Sequence, residues 1–456
     1  MADSVQRIRT KEEQAQYDRL VNTPIPKLIP SLAVPTILSM MVTMFYNLAD
    51  SYFVGKLGTS ASASIGIVLS VQAAFQAFGF MFGHGSGTIV SRLLGQGKRN
   101  EADVTLSTGF FASIVFGILV TVAGLLTLTP LMRLLGSTET ILPYAVAYGK
   151  YIFLSGTMLC ASCVLNNVLR YEGKAFYGMI GLVSGNVLNI IADPVFIFGF
   201  HMGVKGAGVA TALAQTVSLL ILLYMFLSGK SVTRLSWKAV DLQPLRTLKN
   251  ICRNGLPSLI RQLLNTVGTT ALNISARPYG DAAIAAMTID GRVAMFIGSF
   301  IIGIGQGYQP VAAYNHGAGR PDRIREGFRF TFFSAEIIVG ILAVLSMVFA
   351  EPIVGFFRDD PEVIEIGAKA MLFFGISMFF QPFSVCTNMM LQSIGDSRGA
   401  SFLASLRSGL YYIPILIVLP RFIGLTGIQS AAMWSDLLTM LTCIPFAFLY
   451  FKNLRK

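Results

Sequence analysis

Twelve predominantly apolar stretches, each about 20 residues or longer, run through the 456-residue chain and dictate what it can fold into. They cover approximately residues 28–55, 61–88, 104–128, 141–169, 176–200, 207–227, 251–275, 283–313, 328–349, 362–392, 399–420 and 427–451. A helix crossing the roughly 30 Å hydrocarbon core needs about 20 residues, so each stretch is long enough to span it. Only 13% of residues are charged against 54% hydrophobic, and mean hydropathy is +0.64. A soluble protein carries about twice that charged fraction. Disorder, a disulfide scaffold and an ordinary cytosolic enzyme are excluded, and an all-α polytopic membrane protein with twelve transmembrane helices is expected. Residues 1–27 are polar and mixed in charge rather than a short basic run before an apolar core, so no signal peptide is expected there.

The formal net charge of +12 acquires a meaning once the Lys and Arg residues are placed. With a cytoplasmic N-terminus, the inner segments hold about 25 of the 35 basic residues, among them Arg92, Lys98, Arg99, Arg170, Lys174, Lys230, Arg234, Arg320 and Arg323. The outer loops hold about eight, including Lys56, Arg133, Lys205, Arg277 and Arg358. That asymmetry follows the positive-inside rule and puts both termini in the cytoplasm, so the basic excess is an orientation signal and no nucleic-acid partner is expected. Cys160, Cys163, Cys252, Cys386 and Cys443 all lie in or at the edges of apolar segments, where no extracellular disulfide framework is implied.

An internal repeat divides the chain near its middle. With a shift of 222 residues and no gaps, Gly83, Gly85, Gly95 and Gly97 fall on Gly305, Gly307, Gly317 and Gly319. The same shift pairs Pro35 with Pro257, Gly58 with Gly280 and Gly173 with Gly395, and a shift of 221 pairs Gly203 with Gly424. Six spans per repeat is an even number, so both halves enter from the same side and are related by an axis along the membrane normal. The expected organisation is an N-terminal segment 1–27, an N-lobe 28–227, a cytoplasmic linker 228–250, a C-lobe 251–451 and a tail 452–456. Two such lobes facing a central cleft that opens alternately to each side make transport the leading function.

Acids inside spans are the most informative residues, because an intramembrane charge costs at least about 2.5 kcal/mol at the helix centre. Asp50 lies in span 1 within Tyr46-Asn-Leu-Ala-Asp50, and Thr43, Tyr46, Asn47 and Asp50 recur at helical spacing. Asp193 lies in span 5, where Asn186, Asn189 and Asp193 share a face and Pro194 removes a backbone hydrogen bond beside the acid. Counted from the outer helix ends, the two acids sit at similar depths of roughly 8 and 10 Å. Two carboxyls in a low-dielectric site disfavour joint ionisation, so one can hold a proton and release it when the site is wetted. The same oxygens, with Asn189 and Thr211, can instead ligate Na+, since hard cations take oxygen donors. Sequence alone leaves H+ and Na+ open.

The second half lacks this pair, with Leu272 where the repeat places Asp50. It offers Arg261, Asp281, Asp290, Arg292, Gln306 and Gln309, and Asp290 and Arg292 flank Gly291 as an internal charge pair or a cleft lining. The glycine-rich stretches 83–87 and 303–307 neither follow a strand nor end in Gly-Lys-Ser or Gly-Lys-Thr, so they read as close helix packing. No Ser-His-Asp arrangement, His-Glu-x-x-His or nucleotide fingerprint is present, and neither enzymatic activity, a cofactor nor an ATPase subunit is expected.

At these residues the chain resembles the MATE family, the multidrug and toxic compound extrusion transporters, and within it the bacterial MepA-like and DinF-like groups. The resemblance covers Pro26 to Tyr450, and its most specific marks are Asn47 to Gly55, Gly95-Gln-Gly97, Asn189 to Ile197 and Gly206 to Gln215. It implies two six-helix bundles, alternating access, and export of organic cations or amphipathic drugs in exchange for H+ or Na+ across a bacterial inner membrane. It also implies a cation-coupling set of Asp50, Asn189, Asp193 and Thr211, with Tyr46 and, on span 4, Asn166. Some members use an acid in the C-lobe, where span 10 here has Gln381, Asn388 and Gln392. The substrate cleft is expected to be apolar and aromatic, lined by Met40, Met44, Phe75, Phe78, Met287, Asp290, Met295 and Phe296, because Met and Phe repack around differing shapes. A monomer in contact with membrane lipid is expected. Flipping of a lipid-linked sugar is the alternative within transport, opposed by the scarcity of interior cations beyond Arg261 and Arg292, and a flux-free sensor is opposed by the absence of any sizeable soluble domain.

Overall fold

The computed structural model describes residues 11–240 and 244–453, which form helices joined by short turns with no β-strand among them. A short helix, Lys11–Tyr17, leads into a π-helical turn, Asp18–Asn22. Twelve long elements follow. We label them α1 (Ile25–Gly55), α2 (Thr59–Gly95), α3 (Arg99–Leu126), α4 (Leu142–Tyr171), α5 (Ala175–Gly199) and α6 (Val204–Leu227). The second six are α7 (Pro244–Ala276), α8 (Asp281–Gly317), α9 (Pro321–Val348), α10 (Pro361–Met378 with Gln381–Ile394), α11 (Ser397–Ile423) and α12 (Leu425–Asn453). Ten of them are apolar enough throughout to cross a membrane, and α10 qualifies as a pair bent by 48°. The remaining helix, α7, is diluted by Gln262, Asn265, Thr266, Thr269, Thr270 and Asn273.

The repeat has a backbone explanation. Gly58 and Gly280, Gly97 and Gly319, Gly173 and Gly395, and Gly203 and Gly424 all have positive φ, and the partners of each pair terminate corresponding helices. Only glycine takes that conformation without steric cost, so the turns that restart each helix are written into both halves. A short helix after α3, Leu128–Leu134, is likewise repeated after α9 as Ala350–Phe357.

Contacts sort the chain into two compact units, three of whose five borders fall within helices and none in the expected linker. The first comprises 1–24, Leu38–Leu259 and Ala313–Arg320, and the second Ile25–Ile37, Ile260–Ala312 and 321–456. This departs from the expected division at 228–250, and the glycines supply the reason. In the first unit a Cβ on Gly85 would lie 2.1 Å from the Ile251 carbonyl oxygen, and one on Gly255 1.8 Å from that of Met81, so the start of α7 lies directly on α2. In the second, Gly303 and Gly307 of α8 leave room for Ile37 and Ala33 of α1.

The expected linker is largely a docked strap. Glu172, at the end of α4, accepts hydrogen bonds from Ser231 Oγ and Val232 N at 2.9 Å and from Thr233 N at 3.0 Å. Arg234 N donates to Asp103 at 2.8 Å, and Trp237 stacks on Phe111. The described part of the expected N-terminal segment packs on the protein, with Leu20 and Val21 buried and Gln16 donating to the Glu172 carbonyl. Residues 1–10 and 241–243, and 454–456 of the expected tail, lie outside the described residues.

Candidate functional site

The polar stripe of α1 and that of α5 meet inside the first unit. Asp50 is 3% exposed and Asp193 fully buried, with Tyr46, Asn189 and Thr211 buried beside them. Asn189, oriented so that both ends of its amide are satisfied, donates to Asp193 Oδ2 at 3.0 Å. In that orientation it accepts from the Thr211 amide at 3.1 Å and the Thr211 hydroxyl at 3.3 Å. Thus α5 and α6 are tied through the acid's neighbour, one helical turn before it. Tyr46 lies within hydrogen-bond reach of Gln72 and Thr211. Higher on the same stripes Asn186 donates to Thr43 at 2.8 Å, which joins α5 to α1.

The two carboxyls are close enough for their charges to act on each other. One oxygen of each is engaged: Asp50 Oδ2 accepts from the Tyr148 hydroxyl at 3.4 Å, and Asp193 Oδ2 from Asn189. Asp50 Oδ1 and Asp193 Oδ1 are buried without a hydrogen-bond partner. Leaving such atoms buried and unsatisfied is costly. Beyond Asp193 the backbone changes character: Pro194 has no N–H to offer, and Val195–Gly199 continue as a wider π-helical turn. Such turns release carbonyls from the regular ladder and recur at functional positions.

Not every expected member joins this cluster. Asn166 donates to the Gly178 carbonyl at 2.9 Å, bracing the start of α5 against the end of α4, and that distance along the helix from Asn189 keeps it out of the acid site. Two side chains were missed. Tyr148 and Gln72 were invisible because a Tyr or Gln in a span is ordinary until its long-range neighbour is known.

Among the expected cleft residues, Phe75 and Met287 are corrections. The Phe75 ring is 2% exposed and fills the space left by Gly156 against Phe153, and Met287 packs with Ala271, Leu272, Tyr412 and Leu416. Both are internal packing residues of their own units. Phe78 packs tilted against Phe116 with ring centroids 4.5 Å apart, Met40, Met44 and Phe296 are half-buried, and Met295 is 64% exposed.

In the second unit the proposed pairing of Asp290 with Arg292 is not formed. Asp290 Oδ1 is buried without a partner, whereas Arg292 is exposed, two residues around the helix from it. An ion pair of a buried acid is found there instead: Asp436 of α12 accepts from Arg407 Nε at 2.8 Å and from Gln381 at 2.9 Å. Glu336 of α9, close to Cys386, was also passed over. The rule that flagged Asp50 applies equally to an acid in Ala431-Ala-Met-Trp-Ser-Asp436 and would have found it.

A family model described as MatE matches residues 35–195 and 257–418, once in each half of the repeat. The multidrug export protein MepA of Staphylococcus haemolyticus (strain JCSC1435) is 29% identical over 447 residues, covering 98% of this chain and 97% of that protein. MepA of Staphylococcus aureus (strain MSSA476) is 28% identical over 446 residues, with the same coverage. Among solved structures, a MOP superfamily transporter from Pyrococcus furiosus superimposes with a TM-score of 0.91 at 23% identity, covering 99% of this chain and all of that one. An outward-facing multidrug resistance MATE family transporter gives the same TM-score and identity over 98% of this chain and 100% of its own.

Proposed function

Because the chain belongs to the MatE family, we propose that it is a secondary active exporter of cationic and amphipathic small molecules in a bacterial cell membrane, driven by H+ or Na+ entering at Asp50 and Asp193. The observation that carries this reading is the buried carboxyl pair, each member with one oxygen that no protein group satisfies. The export function of the MepA relatives, matched over nearly their whole length, supports the substrate class.

The chemistry follows from the donors present. Tyr148 and Asn189 hold the engaged oxygens in place, and Asn189 is itself held by the amide and hydroxyl of Thr211. The two free oxygens then receive either a proton, which removes the mutual repulsion of the carboxyls, or a Na+ ion, which balances it. Neutralisation relaxes the demand on Asn189, whose amide ties Asp193 to Thr211, and so loosens α5 against α6 next to the Pro194 turn. A ligand shifts a conformational equilibrium only by its differential affinity for the two states, and the unsatisfied oxygens supply that difference.

The test is export of a fluorescent organic cation from proteoliposomes under a pH gradient and a Na+ gradient imposed separately. Flux driven by either gradient and lost in Asp50→Asn and Asp193→Asn is the expected result, and the effective gradient names the ion. Undiminished gradient-driven flux in both variants removes the site.

A further inference from the structure

The ends of α2, α3 and α7 that the distribution of Lys and Arg assigns to the cytoplasm enclose a cavity of about 620 Å³, all of it within the first unit. Its lining is graded by depth. Arg92 comes from the last turn of α2, Asn100 and Glu101 from the first turn of α3, and Thr247, Asn250 and Asn254 from one face of α7. One turn further into the spans, half-buried Ile89 and Val104 take over the wall beside Leu93. A polar mouth over an apolar wall at the end of a span follows the order of a phospholipid, head group above acyl chain.

The mouth is also positively charged. Arg92 Nη2 donates to Asn254 Oδ1 at 2.9 Å, which ties α2 to α7 and aims the guanidinium while using one of its five N–H donors. Among the described residues no carboxylate forms a salt bridge with Arg92. Glu101, the acid of the lining, is paired with Lys98 at 3.1 Å. On α7 the exposed Arg246, Lys249 and Arg253 each precede a lining residue by one position, so a basic stripe runs beside the polar one, about 100° around the helix. Helix α3 begins at the cavity, and a helix start adds positive partial charge.

We propose that this cavity binds the phosphodiester head group of an anionic phospholipid, held by the Arg92 guanidinium, with the Asn100 and Asn250 amides at its rim. A phosphodiester presents two oxygens to the guanidinium fork, and basic pockets between spans on the cytoplasmic side suit such head groups. The choline cation of a zwitterionic lipid would instead meet the basic stripe. One wall is α2 and α3 and the other α7, so a bound head group bridges them and stabilises the arrangement that has both walls. Asp50 lies near the opposite end of the spans, beside the turn where α1 passes into α2, so the inference does not depend on the ion-coupling site.

The experiment titrates the full chain in detergent with dioleoyl phosphatidylglycerol or dioleoyl phosphatidylcholine, which share their acyl chains, and counts bound lipid by native mass spectrometry. Wild-type protein is expected to bind phosphatidylglycerol about tenfold more tightly. Arg92→Gln is expected to remove that advantage and leave phosphatidylcholine binding within about twofold, which also reports a folded variant, and Arg92→Lys to recover part of the loss. Lys249→Gln, an exposed change, is expected to weaken phosphatidylglycerol about three- to fivefold and carries the test if Arg92→Gln does not fold. Equal binding of the two lipids by wild type, a preference untouched by these substitutions, or equal weakening of both lipids overturns the site. Displacement of phosphatidylglycerol by an equal concentration of glycerol 1-phosphate overturns the membrane as the source of the ligand.

Discussion

Helices α1 and α7 occupy the same place in the repeat and carry opposite chemistry there. In α1, Asp50 sits among Tyr46, Tyr148 and Thr211; 222 residues later, Leu272 packs with Ala271, Tyr412, Ile415 and Met287 in an apolar cluster. Yet the glycines around both are retained, with the same positive φ at Gly58 and Gly280 and close helix contacts at Gly85 and Gly307. Backbone geometry is what the two halves share, because both must make the same turns and packings. Side-chain chemistry is free to diverge, and at this position only the first half carries an acid. The acids show this too: Asp436 is neutralised by Arg407, whereas Asp50 and Asp193 have no cation paired with them among the described residues.

That contrast breaks first at the acids. Asp50→Asn should abolish gradient-driven efflux, to the level of liposomes without protein, while Asp436→Asn should retain it at reduced thermal stability. Removing Asp436 leaves Arg407, 38% exposed, able to turn to solvent. The double variant Asp50→Asn with Leu272→Asp should stay inactive, since the repeat puts Ala370 at the position of Tyr148 and Ala432 at that of Thr211. Recovery of flux there would mean that the repeat, rather than the local donor set, defines the site.

The backbone half of the contrast is tested by glycine substitutions, read as the melting temperature of purified protein. A Cβ at Gly85 would lie 2.1 Å from a backbone carbonyl oxygen and one at Gly307 2.8 Å from Ala33, so alanine at either should cost about 1–3 kcal/mol, more at Gly85. Gly291→Ala, with nothing within 4 Å, should be neutral or slightly stabilising and serves as the control. Equal tolerance at all three would show that the repeated glycines are not packing devices.

How much of this was legible in the sequence follows from range. The spans, the repeat and the acid pair could be read because each is a local signal: about 20 apolar residues, a fixed offset, or an acid where charge is expensive. Asn189, on the face of Asp193, and Thr211 were legible as oxygen donors beside the acids and are also what the family resemblance implies, and the structure brings them to Asp193. The docking of Ser231–Thr233 on Glu172 could not be read, since the partners are 59 to 61 residues apart and each looks like an ordinary loop residue. Phe75 and Met287 were misread for a related reason. An aromatic or Met in a span has the same sequence appearance whether it lines a path or fills a gap, and only the space opposite Gly156 decides for Phe75.

The smallest expected effect concerns the tyrosines beside the acids. Tyr148 is fully buried among Leu142, Ala145 and Ile152, so Tyr148→Phe keeps the ring packed and removes only the hydroxyl that donates to Asp50 at 3.4 Å. A hydrogen bond of that length contributes about 1 kcal/mol, so the driving-ion concentration for half-maximal efflux should shift about fivefold with the maximal rate preserved. In the second half Tyr412 lies near both Asp290 and Asp436, and Tyr412→Phe should leave the ion dependence unchanged. If Tyr148→Phe were as inactive as Asp50→Asn, the hydroxyl would belong to the path the ion takes rather than to the scaffold that positions the carboxyl. If Tyr412→Phe shifted the ion dependence as well, coupling would extend into the half where Leu272 replaces the acid, and the one-sidedness drawn from α1 and α7 would fail.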